Sequence, residues 1–546
     1  MHALYESSLS YEMEANLHAV VFLLVCQIAS FESPKLIITL LIFFYQGVDM
    51  SLSRAGYLIC STVCVVSAFG LLACGGGSDP ASNANNTGST TTSTAEFHYF
   101  VGNDGATGDE LWKTDGTAAG TELVLDINAG ADSSLPNNMV YIGSTLYFVA
   151  NGGATGKELW KSDGTAAGTV MVKNINTIDV KGSRPDFLTN INGTLFFSAD
   201  DGINGSELWK SDGTAAGTVL VKDINTTDPD GSLPVYLTNF NGTLLFAANG
   251  GNGRELWKSD GTASGTVLVK DINTTTATAS SSLNHFASIN GLLYFNANNG
   301  VNGRELWKSD GTSVGTVMIK DINTTSATAS SSPDHFTEIN GTIYFSANDG
   351  VNGYELWRTD GTAGGTVLFK DINTSAPMAH SSPAYLTNVN DELYFRANDG
   401  INGIELWKSD GTSVGTEMLL DINATASTNS IPYYLSNINN KLYFAADDGI
   451  NGFEFWSSDG TTVGTVMVKD INTTAAQADS LAYLVSYNYS DAFNAEPLIF
   501  SDGRFLLHAD DGVSGVEVYI SDGAVAGTTM MIKDVNPGIG NGSYVQ

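Results

Sequence analysis

The chain has 546 residues, 42% of them apolar, which allows a large buried core and excludes a collagen-like or fully disordered protein. Its net charge of −34 excludes a nucleic-acid partner bound through the phosphate backbone. All four cysteines lie at or before Cys74, so the rest of the chain has no disulfide, cysteine zinc site or cysteine nucleophile.

Residues 50–74 predict an export signal. One arginine is followed by an apolar stretch that is shorter and richer in small residues than a membrane span. The stretch ends in Leu71-Leu72-Ala73-Cys74, which resembles a bacterial lipobox. The resemblance implies that Cys74 is lipidated and becomes the first mature residue, with an ordinary membrane anchor as the alternative. Gly75 is not the aspartate of the inner-membrane retention signal, which favours the outer membrane or cell surface.

The segments on either side of this signal predict no folded domain. Residues 1–49 share nothing with the rest of the chain, and we expect them to be an upstream extension from a start assigned too early, with the true start at Met50. Residues 75–95 are small and polar without apolar periodicity, which predicts a disordered tether between lipid and domain.

The remainder, residues 96–546, is self-similar at a fixed period. A motif of the form Glu-Leu-Trp-x-x-Asp-Gly-Thr recurs nine times, every 48 to 50 residues except for a step of 63 before the ninth copy. Its glutamates are Glu110, Glu158, Glu207, Glu255, Glu305, Glu355, Glu405, Glu454 and Glu517. Its aromatic residues, which include all eight tryptophans, are Trp112, Trp160, Trp209, Trp257, Trp307, Trp357, Trp407, Trp456 and Tyr519. Because one residue type is confined to one repeat position, we predict that these rings form the structural repeat core.

One unit, residues 332–373, predicts four strands. Residues 335–339 form the first, and Asn340-Gly341 is a strong hairpin signal because both residues accept positive φ. Residues 342–347, 354–359 and 367–373 form the others, separated by glycine-rich turns. No window has a useful helical period.

Four antiparallel strands per repeat are typical of a propeller blade. We predict an all-β fold, a single closed β-propeller of nine four-stranded blades, with eight blades and one displaced unit as the alternative. The almost wholly apolar second strands indicate sheets covered on both faces, with the motif tryptophan between blades. A solenoid would need capping repeats, and the sequence contains none.

The two ends of the repeat region predict how the ring closes. The first unit opens at Phe97 with a segment that matches a second strand, so its first strand is missing. Residues 542–545 resemble the lead into a first strand, as at residues 231–236. We therefore predict that the C-terminal residues complete the first blade and remove an open sheet edge.

Two family resemblances concern this region. ELWKSDGT followed by GTVLVKDIN resembles the ELWxxDGT repeat family of bacterial exported proteins, some labelled hyalin-like, over Phe97 to about Asn536. It implies extracellular location and a repeat scaffold, without an established activity. ATGKELW at residues 154–160 is similar to the tryptophan-docking motif of quinoproteins that use PQQ and of the PQQ-like lipoprotein of outer-membrane assembly. Because the paired cysteines of many quinoproteins are missing, we interpret this match as propeller packing and not as a cofactor site.

Acidic turns raise a calcium hypothesis. Asp200, Asp201 and Asn204 in one unit and Asp321 and Asn323 in another supply the oxygen ligands that calcium prefers. Their spacing is not that of an EF-hand, and such residues also cap turns without an ion. We therefore assign no cofactor and keep calcium as an alternative.

Histidines suggest a second metal hypothesis. His285 and His335 occupy matching positions in adjacent units, where two imidazoles could bind a metal near the channel. Tyr385 fills the same place in the next unit, which favours repeat drift. A group present in every copy is structural by default, so Glu355 and its equivalents are predicted to bond turn backbone or to pair with a lysine or arginine. We assign no catalytic residue.

These observations favour a monomeric, non-enzymatic surface lipoprotein that binds a glycan, a matrix polymer or another envelope protein. The alternative is an exported enzyme, such as a hydrolase or lyase, or a PQQ-like assembly factor, that uses the channel mouth. Non-repeating polar residues converging at one mouth would favour the enzyme. The insertion at residues 478–495 and the variable loops before each first strand are the expected functional surfaces, with tolerated length variation as the alternative for the insertion.

Overall fold

The structure, a computed structural model, describes residues 96–544 except 426, 427, 476, 481, 486–496, 526 and 539. The predicted extension, signal peptide and tether (residues 1–95) lie outside the described residues, as does most of the insertion at 478–495. The described chain is all-β, and its strands form nine four-stranded antiparallel sheets, the blades of a nine-bladed propeller. The nine blades predicted from the sequence are confirmed. None of the described residues forms a helix that has the length and apolarity to cross a membrane.

The strands are numbered in chain order. The first strands of blades 2–9 are β4 (Asn137–Ile142), β8 (Asp186–Ile191), β12 (Val235–Phe240), β16 (Asn284–Ile289), β20 (Asp334–Ile339), β24 (Ala384–Val389), β28 (Tyr433–Ile438) and β32 (Tyr483–Leu484). The second strands of blades 1–9 are β1 (His98–Asn103), β5 (Thr145–Asn151), β9 (Thr194–Asp200), β13 (Thr243–Asn249), β17 (Leu292–Asn298), β21 (Thr342–Asn348), β25 (Glu392–Asn398), β29 (Lys441–Asp447) and β33 (Phe505–Asp510).

The outer half of each blade follows the same order. The third strands are β2 (Asp109–Thr114), β6 (Lys157–Ser162), β10 (Ser206–Ser211), β14 (Arg254–Ser259), β18 (Arg304–Ser309), β22 (Tyr354–Thr359), β26 (Ile404–Ser409), β30 (Phe453–Ser458) and β34 (Val516–Ser521). The fourth strands are β3 (Glu122–Leu125), β7 (Val170–Lys173), β11 (Val219–Lys222), β15 (Val267–Lys270), β19 (Val317–Lys320), β23 (Val367–Lys370), β27 (Glu417–Leu420), β31 (Val466–Lys469) and β35 (Met530–Lys533).

The C-terminal strand β36 (Ser543–Tyr544) closes the ring. It pairs antiparallel with β1 through Gly102 and Val101 and so supplies the missing first strand of blade 1. Trp112 of blade 1 also shares a buried cluster with Val518 of blade 9. The predicted closure by the C-terminal residues is confirmed, and it leaves no open sheet edge at the junction between the first and last repeats.

Blade 6 shows how the repeat packs. Asn340 and Gly341 have φ angles of 51° and 82°, as the predicted hairpin turn requires. The five central residues of β21 are buried, because neighbouring blades cover both faces of the sheet. Trp357, 5% exposed, packs with Phe345 of its own blade and Leu306 of blade 5. The motif ring therefore fills the gap between two blades.

Because the four strands of each blade alternate in direction, the loops of the propeller lie on two opposite faces of the ring. The loops joining first to second and third to fourth strands lie on one, which we call the hairpin face. The loops joining second to third strands and the connectors between blades lie on the other, the connector face. First strands line the central channel and bond across blades, since Thr337 Oγ1 donates to the Leu386 carbonyl at 2.6 Å. Each first strand therefore begins at the connector-face mouth of the channel.

Candidate functional site

The repeated glutamate is a structural tie between blades. Glu355 is fully buried, and its carboxylate accepts hydrogen bonds from the backbone N–H groups of Ile372 and Ser381 at 2.7 and 2.9 Å. Ser381 Oγ is a third partner at 2.6 Å and also lies 3.2 Å from the Tyr354 carbonyl. Because Ser381 belongs to the connector to blade 7, this carboxyl holds the end of one blade to the start of the next. It uses backbone and hydroxyl partners and not a lysine or arginine.

Burial raises the pKa of every one of these glutamates above its ordinary value. In six of them the pKa reaches about 7: Glu255, Glu305, Glu355, Glu405, Glu454 and Glu517. The same direction holds for Glu110, Glu158 and Glu207. A protonated Glu355 would donate to Ser381 Oγ, which would in turn donate to the Tyr354 carbonyl, so the site accommodates the neutral form.

The motif rings lie between blades. Trp112, Trp209, Trp257, Trp307, Trp357, Trp407 and Trp456 are 5–8% exposed, Tyr519 is 3% exposed, and Trp160 is half-buried against the cluster shared by blades 1 and 2. Lysines of the preceding blade cover some of them, as Lys222 does over Trp257 at 5.7 Å. These rings contact protein on both sides and line no opening in the described structure that could take a ligand.

The turns considered for calcium are capped by their own bonds. Asp200 and Asp201 accept backbone N–H groups of their turn at 2.7–2.9 Å, and Asp201 also accepts from the side chain of Asn204. Asp321 accepts from Asn302 Nδ2 at 2.6 Å, and Asn323 Oδ1 accepts from Thr325 Oγ1 at 2.6 Å. Residues 96–544, where described, contain no group of three or more histidine, cysteine or acidic residues placed to hold a metal ion. Calcium in these turns stays a prediction.

In blades 2–8 the first strand opens with a bulge. In blade 6, Asp334 pairs with Ser346 and Thr337 with Tyr344, so two residues, His335 and Phe336, oppose one. The first bulged residue is left-handed, with φ of 55° at His285 and 58° at His335. Non-glycine residues rarely adopt this conformation, and its recurrence in seven blades makes it part of the repeat. The equivalent positions are Asn138, Phe187, Tyr236, His285, His335, Tyr385 and Tyr434.

At the connector-face mouth two blades contribute a histidine–aspartate pair. His285 Nδ1 of blade 5 lies 2.6 Å from Asp334 Oδ1 of blade 6, and His335 Nε2 lies 3.9 Å from Asp334 Oδ2. Burial opposes ionisation of Asp334, but the hydrogen bond from His285 and the two imidazoles outweigh it, so the pKa of this carboxyl lies below its usual range. Burial lowers the pKa of His335, which favours its neutral form. Because an ionised carboxylate can only accept, the proton of neutral His285 sits on Nδ1 and leaves Nε2 as an acceptor.

The histidine–aspartate combination occurs at one blade boundary, but the contact itself recurs in the ring. The position of Asp334 is Asp186 in blade 3, where Oδ1 accepts from Asn138 Nδ2 of blade 2 at 3.0 Å. It is Asn284 in blade 5, Ala384 in blade 7 and Tyr433 in blade 8. The histidine, and not the carboxylate, therefore distinguishes this boundary. The side chains of His285 and Asp334 are 32% and 30% exposed, so a molecule in the mouth can reach them.

Other non-repeating polar residues surround the pair. Arg254 and Arg304, at the starts of the third strands of blades 4 and 5, line a cavity of about 360 Å³ together with Tyr236 and Asn284. On the other side, the guanidinium of Arg396 lies 4.7 Å from the ring centre of Tyr385. The cavity of Arg254 and Arg304 and the His285–Asp334 pair both lie toward the connector face, and neither member of the pair lines the cavity.

Sequence reasoning found His285 and His335 but missed Asp334 and the arginines. The predicted pairing of both histidines on a metal is replaced in the structure by a shared carboxylate. A position-by-position alignment of the repeats would have marked Asp334 together with Asp186, because the equivalents in blades 5, 7 and 8 carry no charge. The same alignment places arginine before the motif glutamate in blades 4 and 5, at Arg254 and Arg304.

A serine-hydrolase pattern was also overlooked. Residues 311–315 and 411–415 read Gly-Thr-Ser-Val-Gly, which fits Gly-x-Ser-x-Gly. Both segments are ordinary turns between third and fourth strands, where the carbonyls of Ser313 and Ser413 accept from Lys270 and Lys370. These turns lie on the hairpin face, opposite the mouth that holds His285, so that histidine cannot activate either serine.

No protein-family model and no curated protein matches the chain. Solved structures do match. One titled puromycin hydrolase is 13% identical with a TM-score of 0.34, and the match covers 73% of this chain and 60% of that one. A Mycobacterium tuberculosis puromycin-hydrolyzing peptidase is 13% identical with a TM-score of 0.35, over 73% of this chain and 59% of that one. A structure from an analysis of two prolyl endopeptidases is 10% identical with a TM-score of 0.36, over 69% and 55%.

These matches correct the expectation of a non-enzymatic module that binds a glycan, a matrix polymer or an envelope protein, because the matched structures are peptidases. The expectation was wrong because it rested on the repeat, whose recurring groups are structural, and passed over the unique residues of the mouth. This chain spans less than two thirds of each matched protein, and at these identities the likeness concerns the fold alone. Their peptide substrates remain properties of those proteins.

Proposed function

We propose that the protein is an exported enzyme, a hydrolase or lyase, whose proton-transfer centre is the His285–Asp334 pair at the connector-face mouth. The observation that carries the proposal is the 2.6 Å contact between His285 Nδ1 and Asp334 Oδ1, in which a histidine takes the place that Asn138 has in the equivalent contact with Asp186. A carboxylate that orients an imidazole and stabilises its protonated form is the arrangement used by general bases.

In this proposal His285 Nε2 removes a proton, either from a water that attacks the substrate or from a carbon of the substrate itself. Asp334 stabilises the imidazolium that results, and the same Nε2 then returns the proton to the leaving group. His335 Nε2 lies 3.9 Å from the other carboxylate oxygen, beyond hydrogen-bond distance, and burial lowers its pKa and so favours its neutral form. Arg254, Arg304 and Arg396 supply positive charge around the reacting groups.

The first test is an activity screen of the purified full-length chain against chromogenic esters, peptides, glycosides and uronate polymers. His285→Asn should lower the activity that is found by about 10²–10⁴-fold, the usual contribution of a general base. Asp334→Asn should lower it as well, without unfolding the protein. His380→Asn is the matched control, because His380 Nδ1 accepts from the Tyr354 N–H and Asn429 Oδ1 makes the same bond in the next blade. An activity that His285→Asn leaves intact would contradict the proposal.

The lipid anchor is a separate part of the proposal. The lipobox-like end at Cys74 and the polar tether of residues 75–95 support attachment to the outer membrane or cell surface. Metabolic labelling of cells with a tagged fatty acid should mark the wild-type chain and not Cys74→Ser. Equal labelling of the two chains would exclude Cys74 as the lipidation site.

A further inference from the structure

Two arginines at the mouth have no acidic partner among the described residues. Of the six arginines in this part of the chain, Arg184 and Arg504 form salt bridges at 3.1 and 2.7 Å with Asp200 and Asp502. The other four, Arg254, Arg304, Arg358 and Arg396, form no salt bridge within residues 96–544 as described. Arg254 and Arg304 differ from the other two because both line one cavity.

These arginines share a cavity whose other walls are polar, aromatic and aliphatic. The cavity, of about 360 Å³, falls in the range of small-molecule sites, roughly 300–1,000 Å³. Tyr236, Leu233 and Leu283 supply its apolar lining. The polar lining besides the arginines consists of Asn249, Ser280, Ser282 and Asn284. The cavity therefore combines two cations with hydroxyl and amide groups.

We propose that this cavity binds a hydroxylated carboxylic acid of the sugar-acid class, held through its carboxylate by Arg254 and Arg304. The planar guanidinium matches a carboxylate with two parallel hydrogen bonds, which favours this anion over a neutral group. Asn284 and the two serines offer donors and acceptors to hydroxyl groups, and the face of Tyr236 suits the C–H surface of a sugar ring.

The cavity also places such a ligand beside the proposed proton-transfer centre. Asn284, which lines the cavity, directly precedes His285 in β16. Phe286 follows His285, and its ring centre lies 5.7 Å from that of Tyr236. That the bound acid is the substrate rests on the proposed function, whereas its binding to the two arginines does not.

The test measures binding and turnover separately with the full-length chain. Glucuronate is titrated by calorimetry and by ligand-observed NMR, with its methyl ester, glucose and acetate as comparison ligands. We expect glucuronate to bind at least tenfold more tightly than the ester or glucose, since the ester lacks the charge and glucose lacks the carboxyl group. Acetate should bind more weakly than glucuronate because it lacks the hydroxyl groups.

Arginine variants locate the site. Arg254→Gln and Arg304→Gln should each weaken glucuronate binding at least tenfold, and raising the salt concentration should weaken binding to the wild type. Arg184→Gln is the matched control, because it removes the same charge from a connector outside the cavity. Thermal melting of each variant checks that the propeller remains folded. Equal binding of glucuronate and its ester, or an equal loss in Arg184→Gln, would overturn the inference.

The two proposals fail in different ways. Glucuronate binding that is lost in Arg254→Gln, together with no turnover of any substrate, would uphold the acid site and contradict the enzyme. Turnover that depends on His285, together with no difference between glucuronate and its ester, would uphold the enzyme and contradict the acid site.

Discussion

Blade 6 contains two carboxyl groups with opposite chemistry. Glu355 is fully buried and bonds to backbone N–H groups and a serine hydroxyl, and burial raises its pKa to about 7. Asp334 is partly buried, its side chain 30% exposed, and the hydrogen bond from His285 of blade 5 keeps its pKa below the usual range despite that burial. Burial and the hydrogen-bond partner together therefore decide the charge of a carboxyl group here. The partners of Glu355 recur in the repeat, whereas His285 does not.

The comparison separates framework from function. Glu355 has an equivalent in every blade, and each joins a blade to the connector that follows it. Asp334 has an acidic equivalent in blade 3, Asp186, which accepts from an asparagine of blade 2, whereas Asp334 accepts from a histidine of blade 5. Groups of the first kind should govern stability, and groups of the second kind should govern activity with little effect on stability.

The largest expected effect is the loss of stability on truncating a framework residue. Trp357→Ala should lower the free energy of unfolding by about 3–5 kcal/mol, because it leaves a cavity between blades 5 and 6. Asp334→Asn should lower it by less than about 1 kcal/mol, because asparagine can still accept from His285. Chemical denaturation followed by tryptophan fluorescence measures both.

Val414→Ala is the control for the first of these variants. Val414 is 92% exposed at a turn, so its truncation should change stability by no more than about 0.5 kcal/mol. A loss in Asp334→Asn as large as that in Trp357→Ala would show that the mouth residues also belong to the framework. The division between the two kinds of residue would then be wrong.

The framework could be predicted from the sequence because its signals are local and repeated. Asn340-Gly341 fixes one hairpin, the run at 342–347 fixes a strand buried on both faces, and the unmatched start at Phe97 predicts closure by the C-terminal residues. The contact between His285 and Asp334 joins residues 49 positions apart in different blades, and no local pattern specifies it. The bulge at His335 was hidden too, because a histidine with positive φ looks like any strand residue in the sequence.

The nine framework glutamates also predict how stability depends on pH. In the unfolded chain they lose their protons near pH 4.5, whereas burial raises the pKa of the folded groups, to about 7 in Glu255, Glu305, Glu355, Glu405, Glu454 and Glu517. Between these values the folded protein holds more protons, so its stability should decrease as the pH rises from 4.5 through 7. The pKa of His508, lowered to about 3 by burial, acts in the opposite direction, as do the lowered pKa values of His98 and His335. Nine glutamates make the protein less stable as the pH rises, and three histidines make it more stable. The melting temperature should therefore fall between pH 5 and 7.

The smallest expected effect is the change that one glutamate makes to the dependence of the free energy of unfolding on pH. Glu355→Gln cannot titrate, and its amide can donate to Ser381 Oγ as the protonated acid would. The slope of unfolding free energy against pH between 5 and 7 should become shallower by up to about 1.4 kcal/mol per pH unit, the value for one proton. Asp334 itself titrates outside this window, because its pKa lies below 3.8. Its charge raises the pKa of His335, so Asp334→Asn should change the slope through that histidine and not through its own titration. If Glu355→Gln leaves the slope unchanged, Glu355 is ionised throughout the window. The partner hydrogen bonds would then outweigh burial at both carboxyl groups, and the contrast within blade 6 would lie in what each group binds and not in its charge.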